Sequence, residues 1–567
     1  MDAFYDVRDF HSVRELIDTA DDIFGNRTAF EIKKGDLRSL ITYHQYRSDV
    51  DALSSALIQR GIEGVCAAVC GDNCYEYCLT YISVICSGGV IVPVDKELHE
   101  EDIRGILDAS GTKYLFCDRK IYSRLSEETL ADLTVFCFNP KKDEAAPFSD
   151  LLEEGRKLLA EGNALWKTVE QKTDKLCTLI FTSGTTGVSK GVMLCQNNYI
   201  FEVKACMGVL KIYPEDCAIS LLPLHHTFES AIILFFAPYC GAKITFCESF
   251  KYVMRNMKEF TPSLLVAVPL VLETVHKRIM KEIKKTRLGP LKLKTGKAIC
   301  RAAAALNVDL SKIIFKEVQA VFGGKMRLII CGGASIDPQI LKDFEAWGIR
   351  IVFGYGLTEC APLAIINHDR LQTTDSIGEP LPGVDVKIED PDGDGIGEVC
   401  VKGGMVMLGY YNNPDATAAV MDEDGFFHTG DLGFVDDEGH YHLTGRCKNV
   451  IVTSNGKNIY PEELEYHLGT NSIVCSCMVE GVEDKKGETS VHAQIFPDIT
   501  EIEELLGKIP TPDEIHAAVE AAIDAVNSRL PAFKHIRSFT VRDSDFIKTT
   551  THKIKRDSNK THQDDLP

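Results

Sequence analysis

Leu179-Ile180-Phe181-Thr182-Ser183-Gly184-Thr185-Thr186-Gly187-Val188-Ser189-Lys190-Gly191 is an apolar strand running into a loop of glycines and small hydroxyl residues that ends on a lysine. Glycine lets the backbone approach an anion with no Cβ in the way; hydroxyls and amides donate to phosphate oxygens, and Lys190 adds positive charge. The stretch reads as a polyphosphate cradle. It is not a Walker loop, which needs Gly, four residues and then Gly-Lys-Ser/Thr. Here Ser189 stands where the second Gly belongs, and Gly191 follows the lysine.

Outward from this loop, short β-rich apolar runs alternate with amphipathic stretches. Residues 65–69, 90–94, 114–117, 264–268, 328–331 and 350–353 read as strands set between helices. That alternation is an α/β pattern with largely parallel, buried sheets. From about Gly397 the texture changes to short strands punctuated by Gly and Asp, as in Glu398-Val399-Cys400-Val401 and Tyr441-His442-Leu443, which predicts a small β-rich subdomain. Beyond Arg446 a compact α/β unit follows, so a domain boundary is expected near Arg446 to Lys448. Residues 288–322 read as a long helical stretch, and the basic run 281–297 as a solvated helix and loop.

The chain has 567 residues and a net charge of −21, which argues against a general nucleic-acid surface, since phosphate backbones are held by clustered Lys and Arg. A nucleotide would need a locally positive, amide-lined pocket. The 20 cysteines lie in apolar stretches, and the start, Met1-Asp2-Ala3-Phe4-Tyr5-Asp6, is acidic and unlike a secretory signal. A reducing, cytoplasmic setting is expected. The series Cys66, Cys70, Cys74, Cys78 lacks the paired spacing of zinc sites and reads as small buried hydrophobes. Apolar runs 81–94 and 231–246 contain Gly or Pro and are too short to span a membrane, which leaves room only for peripheral contact at its inner face.

The string from Thr182 to Gly191 resembles the signature of the adenylate-forming, AMP-binding superfamily, which comprises acyl-CoA synthetases, luciferases and peptide-synthetase adenylation domains. Later motifs are similar in order. Gly354-Tyr355-Gly356-Leu357-Thr358-Glu359 fails as a dinucleotide fingerprint, because Glu359 replaces the third Gly. For a nucleoside triphosphate with Mg²⁺ the same residues make sense: Tyr355 offers a face to adenine, Thr358 a hydroxyl to the α-phosphate, and Glu359 a hard oxygen to the metal. The resemblance implies ATP binding by Thr182, Ser183, Gly184, Thr185, Thr186, Gly187 and Lys190, by Gly332, Gly333 and Ala334 at the adenine edge, and by Tyr355 and Gly356. It also makes Asp431 and Arg446 the ribose pair, Lys448 a hinge, Gly456 and Lys457 part of a CoA-side loop, and Lys553 the catalytic lysine.

What the resemblance implies about architecture is an N-terminal adenylation domain over 1–445, made of stacked mixed α/β sheets with the β-rich subdomain. A hinge at 446–448 and a small mobile α+β domain over 449–567 follow. The reaction implied is adenylation of a carboxylic acid with release of pyrophosphate, then transfer to CoA. Leu222-Pro223-Leu224-His225-His226-Thr227-Phe228-Glu229 looks most like long-chain fatty-acid ligases of bacterial type, with His226 and Gly354 lining an acyl pocket. Glu229 keeps an amino-acid-activating domain in play, since such relatives use an acidic residue to hold an α-ammonium group. A carrier protein as acceptor, a non-catalytic nucleotide binder and the oligomeric state also stay open.

Overall fold

The computed structural model describes residues 1–35, 37–142, 144–182, 190–285, 289–306, 308–371, 373–452, 457–483, 489–548 and 553–561. Its contacts divide the chain into two units, one of Met1–Val386 with Val401–Phe427, the other of Lys387–Cys400 with His428–Pro567.

The first unit holds two large sheets. One runs, in spatial order, through Gly409–Tyr410, Lys190–Cys195, Leu176–Thr182, Val90–Val94, Cys66–Cys70, Tyr114–Cys117, Thr134–Cys137 and Ala146–Pro147. From Leu176–Thr182 onward its pairs are parallel, and the Gly409 edge is antiparallel. The other runs through Glu379–Pro380, Ile365–Ile366, Arg350–Tyr355, Leu328–Gly332, Leu264–Ala267, Cys217–Ser220, Lys243–Phe246, Thr28–Lys34 and Leu37–Thr42, with a parallel centre and antiparallel edges. These are the α/β layers expected from the apolar runs. Central strands are buried on both faces, as in Val90–Val94 and Leu264–Ala267, so no polar alternation survives in them.

The 288–322 stretch departs from expectation. It is broken into helices Gly289–Ala304, Ser311–Ile314 and Lys316–Val321. The Asp309 carboxylate takes the Ser311 N–H at 2.9 Å, a local bond that competes with continued helix and restarts the chain.

The second unit carries a four-stranded sheet of Asp385–Glu389, Gly397–Lys402, Phe427–Val435 and Tyr441–Arg446, a two-stranded pair, and a three-stranded sheet of Val474–Glu483, Thr489–Pro497 and Ser538–Val541. Helices Pro461–Gly469 and Pro512–Asn527 bury Leu464, Leu468, Val519 and Ile523 against Val479, Val491 and Ile495. Each such side chain is worth about 1.5–3 kcal/mol of burial. Among the described residues no helix is long and apolar enough to cross a membrane.

Candidate functional site

Ser183 to Gly187 lie outside the described residues, as does Gly456, but the flanks of the phosphate loop are placed. Thr182 and Lys190 are register partners in an antiparallel pair, and the Thr182 hydroxyl donates to the Lys190 carbonyl at 3.4 Å. The loop therefore joins strand to strand, whereas a Walker loop joins strand to helix. Topology thus excludes the Walker reading independently of spacing.

Three chain segments meet beside Lys190. Helix Gln196–Met207, which follows its strand, presents Asn198, whose amide donates to the carbonyls of Gly404 and Val406 at 2.9 Å each. That pins the segment leading to Tyr410. Further on, Leu408 N–H donates to Met193 and Tyr411 N–H to Gly191, while Met407 N–H donates to the Glu359 carbonyl at 2.8 Å. Tyr410 is consequently fixed between lysine and glutamate. Its ring lies 4.8 Å from Lys190 Nζ, and its hydroxyl donates to Glu359 Oε1 at 2.9 Å. Burial, then the Glu359 carboxylate, push the Tyr410 pKa up, so the phenol keeps its proton and stays a donor. Nothing in the local sequence around Tyr410 signals this role; the contact spans more than two hundred residues from Lys190 and is made by sheet pairing.

Glu359 sits on the single turn Thr358–Cys360, just past strand Arg350–Tyr355. Thr358 and Glu359 are partly exposed, Tyr355 is buried, and a Cβ on Gly356 would collide with the Pro362 carbonyl. That approach explains why glycine is needed there. With one oxygen held by Tyr410, the Glu359 carboxylate offers a hard oxygen suited to Mg²⁺. Gly332, the last residue of its strand, and Gly354, one short of the end of the neighbouring parallel strand, are register partners, and a Cβ on Gly332 would come within 2.8 Å of the Gly354 carbonyl. Gly333, at φ +89°, and Ala334 follow in exposed turn.

His226 stands at the N-terminal boundary of the short helix Thr227–Ser230. Its ring centroid lies 4.1 Å from that of His225, whose Nε2 is 3.6 Å from Asp95 Oδ2. Burial, then the second imidazole, hold His225 well below the usual histidine pKa, so it is neutral. Glu229 is fully buried, its Oε1 accepts the Leu221 N–H at 3.0 Å, and burial raises its pKa to about 8. A carboxyl tied to backbone and kept neutral is a poor partner for an ammonium group.

The second unit gathers the other residues. Asp431 and Arg446 are register partners, joined at 2.7 Å through Arg446 Nε and Asp431 Oδ1. Asp431 is oriented from behind: Thr429 Oγ1 takes its N–H and donates to the Val399 carbonyl at 2.6 Å. Glu398, which the sequence marks only as part of a short strand, accepts from Gly430 N–H at 2.8 Å and pairs with His428 Nδ1 at 2.9 Å. Lys553 is exposed at the surface, yet desolvation and then repulsion from Arg446 lower its pKa, with Asp431 opposing. Arg556 anchors that segment, donating twice to Glu465 at 2.6 and 2.7 Å and to the Val479 carbonyl at 2.8 Å. Lys448 lies in the turn Cys447–Asn449, and Lys457 Nζ stands 4.2 Å from the Phe533 ring.

The chain is similar to known proteins over most of its length. Residues 18–411 match the family model described as AMP-binding enzyme. Long-chain-fatty-acid–CoA ligase FadD15 of Mycobacterium bovis is 26% identical over 549 residues, covering 91% of this chain and 90% of that protein. Among solved structures, ATP-bound MatB from Rhodopseudomonas palustris superposes with a TM-score of 0.73 at 23% identity, covering 96% of this chain and 97% of that one. O-succinylbenzoate coenzyme A synthetase (MenE) of Bacillus subtilis, in complex with ATP and magnesium ion, gives 0.71 at 20% identity, covering 96% and 98%.

Proposed function

The chain belongs to the AMP-binding enzyme family of the adenylate-forming superfamily, and on that premise we propose that it is an ATP-dependent acid:CoA ligase acting on a medium-to-long-chain fatty acid. The observation that carries the reading is the contact chain from Lys190 through Tyr410 to Glu359, which joins the phosphate-loop flank to a carboxylate fit for a metal. The acid preference is supported by the likeness to FadD15 and by neutral, backbone-tied Glu229, which disfavours amino acids.

In the first half-reaction a substrate carboxylate oxygen attacks the α-phosphorus of ATP, the bond to the bridging oxygen breaks, and pyrophosphate leaves. Lys190 and Thr182 hold the outer phosphates, Thr358 donates to the α-phosphate, and Glu359 would hold Mg²⁺. Bound there, the metal would neutralise phosphate charge. Asp431 accepts from and Arg446 donates to the ribose hydroxyls, with Tyr355, Gly332, Gly333 and Ala334 around the base. Lys553 places its ammonium between carboxylate and α-phosphate, where charge builds up.

In the second half-reaction the CoA sulfur attacks the acyl carbon, the thiol proton is lost to solvent, and AMP departs. By the family resemblance, Lys448 is the hinge about which Lys553 withdraws and the Gly456–Lys457 loop enters. Pyrophosphate release from a panel of acids of graded length, with and without CoA, tests the proposal. Fatty acids should drive release and yield acyl-CoA; turnover that ignores CoA but answers to a carrier protein would overturn the acceptor, and turnover of amino acids alone would overturn the acid.

A further inference from the structure

Glu398, Cys400 and His428 bring an oxygen, a sulfur and a nitrogen to one point. Glu398 and Cys400 are alternate residues of strand Gly397–Lys402, so their side chains share a face. His428 lies on the neighbouring strand Phe427–Val435, tied alongside where Thr429 Oγ1 donates to the Val399 carbonyl at 2.6 Å. Cys400 Sγ and Glu398 Oε2 both approach the same ring nitrogen, His428 Nδ1, at 3.4 and 2.9 Å, and one ligand atom from each residue lies within 4.8 Å of the other two.

The shared nitrogen rules out a nucleophile relay, which uses the two ring nitrogens separately, one for the thiol and one for the carboxylate. Here both crowd Nδ1, whose single proton or lone pair cannot serve the two at once. A cation in their midst would use all three. Tetrahedral Zn²⁺, with bonds of about 2.0–2.3 Å, sets its ligand atoms roughly 3.3–3.6 Å apart. The sulfur–nitrogen contact already meets that spacing, and the oxygen–nitrogen contact would open by only about half an ångström. Cys400 is fully buried, while the His428 and Glu398 side chains are 27% and 25% exposed, which leaves an ion a way in. Glu398 is steadied from behind, since its Oε1 accepts the Gly430 N–H at 2.8 Å, the kind of outer bond that orients a metal-bound carboxylate.

We propose that Glu398, Cys400 and His428 bind one Zn²⁺ or similar borderline divalent cation, with Cys400 as the thiolate, its proton released to solvent, and water in the fourth position. The site is separate from that of Mg²⁺ at Glu359, because sulfur and imidazole suit zinc and disfavour a hard cation. Glu398 also holds the Gly430 amide, so the ion stiffens the turn that sets the next residue, Asp431. Resting on the ligase reading above, the ion thereby strengthens ATP binding.

The probe is Co²⁺, added to the full-length chain after chelator treatment, with Mg²⁺ and a thiol-free reductant present. One equivalent should give a thiolate-to-cobalt charge-transfer band that Zn²⁺ displaces. Cys400→Ser should abolish the band and weaken Zn²⁺ binding by at least about 100-fold, since losing even an outer partner costs about 10- to 100-fold. Cys447→Ser, at the exposed cysteine just after strand Tyr441–Arg446, should leave both unchanged. Should Cys400→Ser fail to fold, Glu398→Gln, which keeps an acceptor for Gly430, decides by the same loss of affinity. Zn²⁺ should also lower the KM for ATP about fivefold in the wild type and leave it unmoved in Cys400→Ser. No band, or a band that Cys400→Ser keeps, overturns the site; an unchanged KM with the ion bound overturns its coupling to Asp431. No acid activated at all counts against the ligase reading and leaves the cobalt spectrum to decide the site.

Discussion

Around Glu359 unlike groups are set against one another: Tyr410 donates to the carboxylate and lies under the Lys190 ammonium, and backbone bonds from Met407, Leu408 and Tyr411 lock the segment in place. Around Lys553 the charges are arranged the other way. Arg446 repels its ammonium and desolvation penalises it, while Asp431 pulls in its favour. The first region is settled without ligand; the second is a concentration of positive charge that an anionic ligand would relieve. Such prepaid discomfort is how a site favours negative charge that develops during reaction. The contrast assigns holding of phosphate and metal to the first region and response to reaction charge to the second.

The sharpest way to break the first region is Glu359→Ala, which removes both the metal-facing oxygen and the acceptor for Tyr410. Pyrophosphate release should fall by about 10²–10³-fold at all pH values. A loss below tenfold would mean that the carboxylate does not hold the metal. Next, Asp431→Asn removes the group that raises the Lys553 pKa. Adenylation requires the lysine cation, so activity falls as pH rises through that pKa; in the Asn variant the fall should begin at lower pH, alongside about a tenfold rise in KM for ATP. A pH profile identical to wild type would separate Asp431 from Lys553. Tyr410→Phe deletes one hydrogen bond to a charged group while keeping the ring beneath Lys190, and should cost about tenfold in kcat with no change in the pH profile.

The smallest effect concerns stability. With a folded-state pKa of about 8 against an ordinary 4.5, Glu229 binds a proton in the folded chain that the unfolded chain has lost between those values. Wild-type stability therefore declines as pH rises from about 4.5 to 8 and is level above that. Glu229→Gln should melt higher than wild type by a margin that grows across this window, roughly 2–4 °C for each kcal/mol relieved. Thermal scans at pH 5 and pH 8 with the same margin would contradict the buried-acid account.

Much of the sheet architecture was legible because it is local. Val90–Val94 and Tyr114–Cys117 are uniform apolar runs bounded by polar turns, and the strands observed have the bounds read from sequence. Helix continuity over 288–322 was not legible, since it turns on the Asp309 side chain bonding to Ser311 rather than on periodicity. Motif residues announce themselves by spacing: Thr182 to Lys190, Tyr355 to Glu359, and Asp431 with Arg446 are short strings. Tyr410 and Glu398 carry no such string. Tyr410 matters because Asn198 pins the segment before it, and Glu398 because it meets His428 across a strand pair. Each depends on a partner far away in sequence, which composition and periodicity do not encode.

The central claim is that Lys553 serves the first half-reaction alone. The direct measurement is Lys553→Ala assayed twice: for acyl-AMP formation from fatty acid, ATP and Mg²⁺, and for acyl-CoA formation from supplied acyl-AMP and CoA. The expected result is loss of the first by about 10²–10³-fold with the second near wild type. Equal loss of both, or retention of the first, would contradict it.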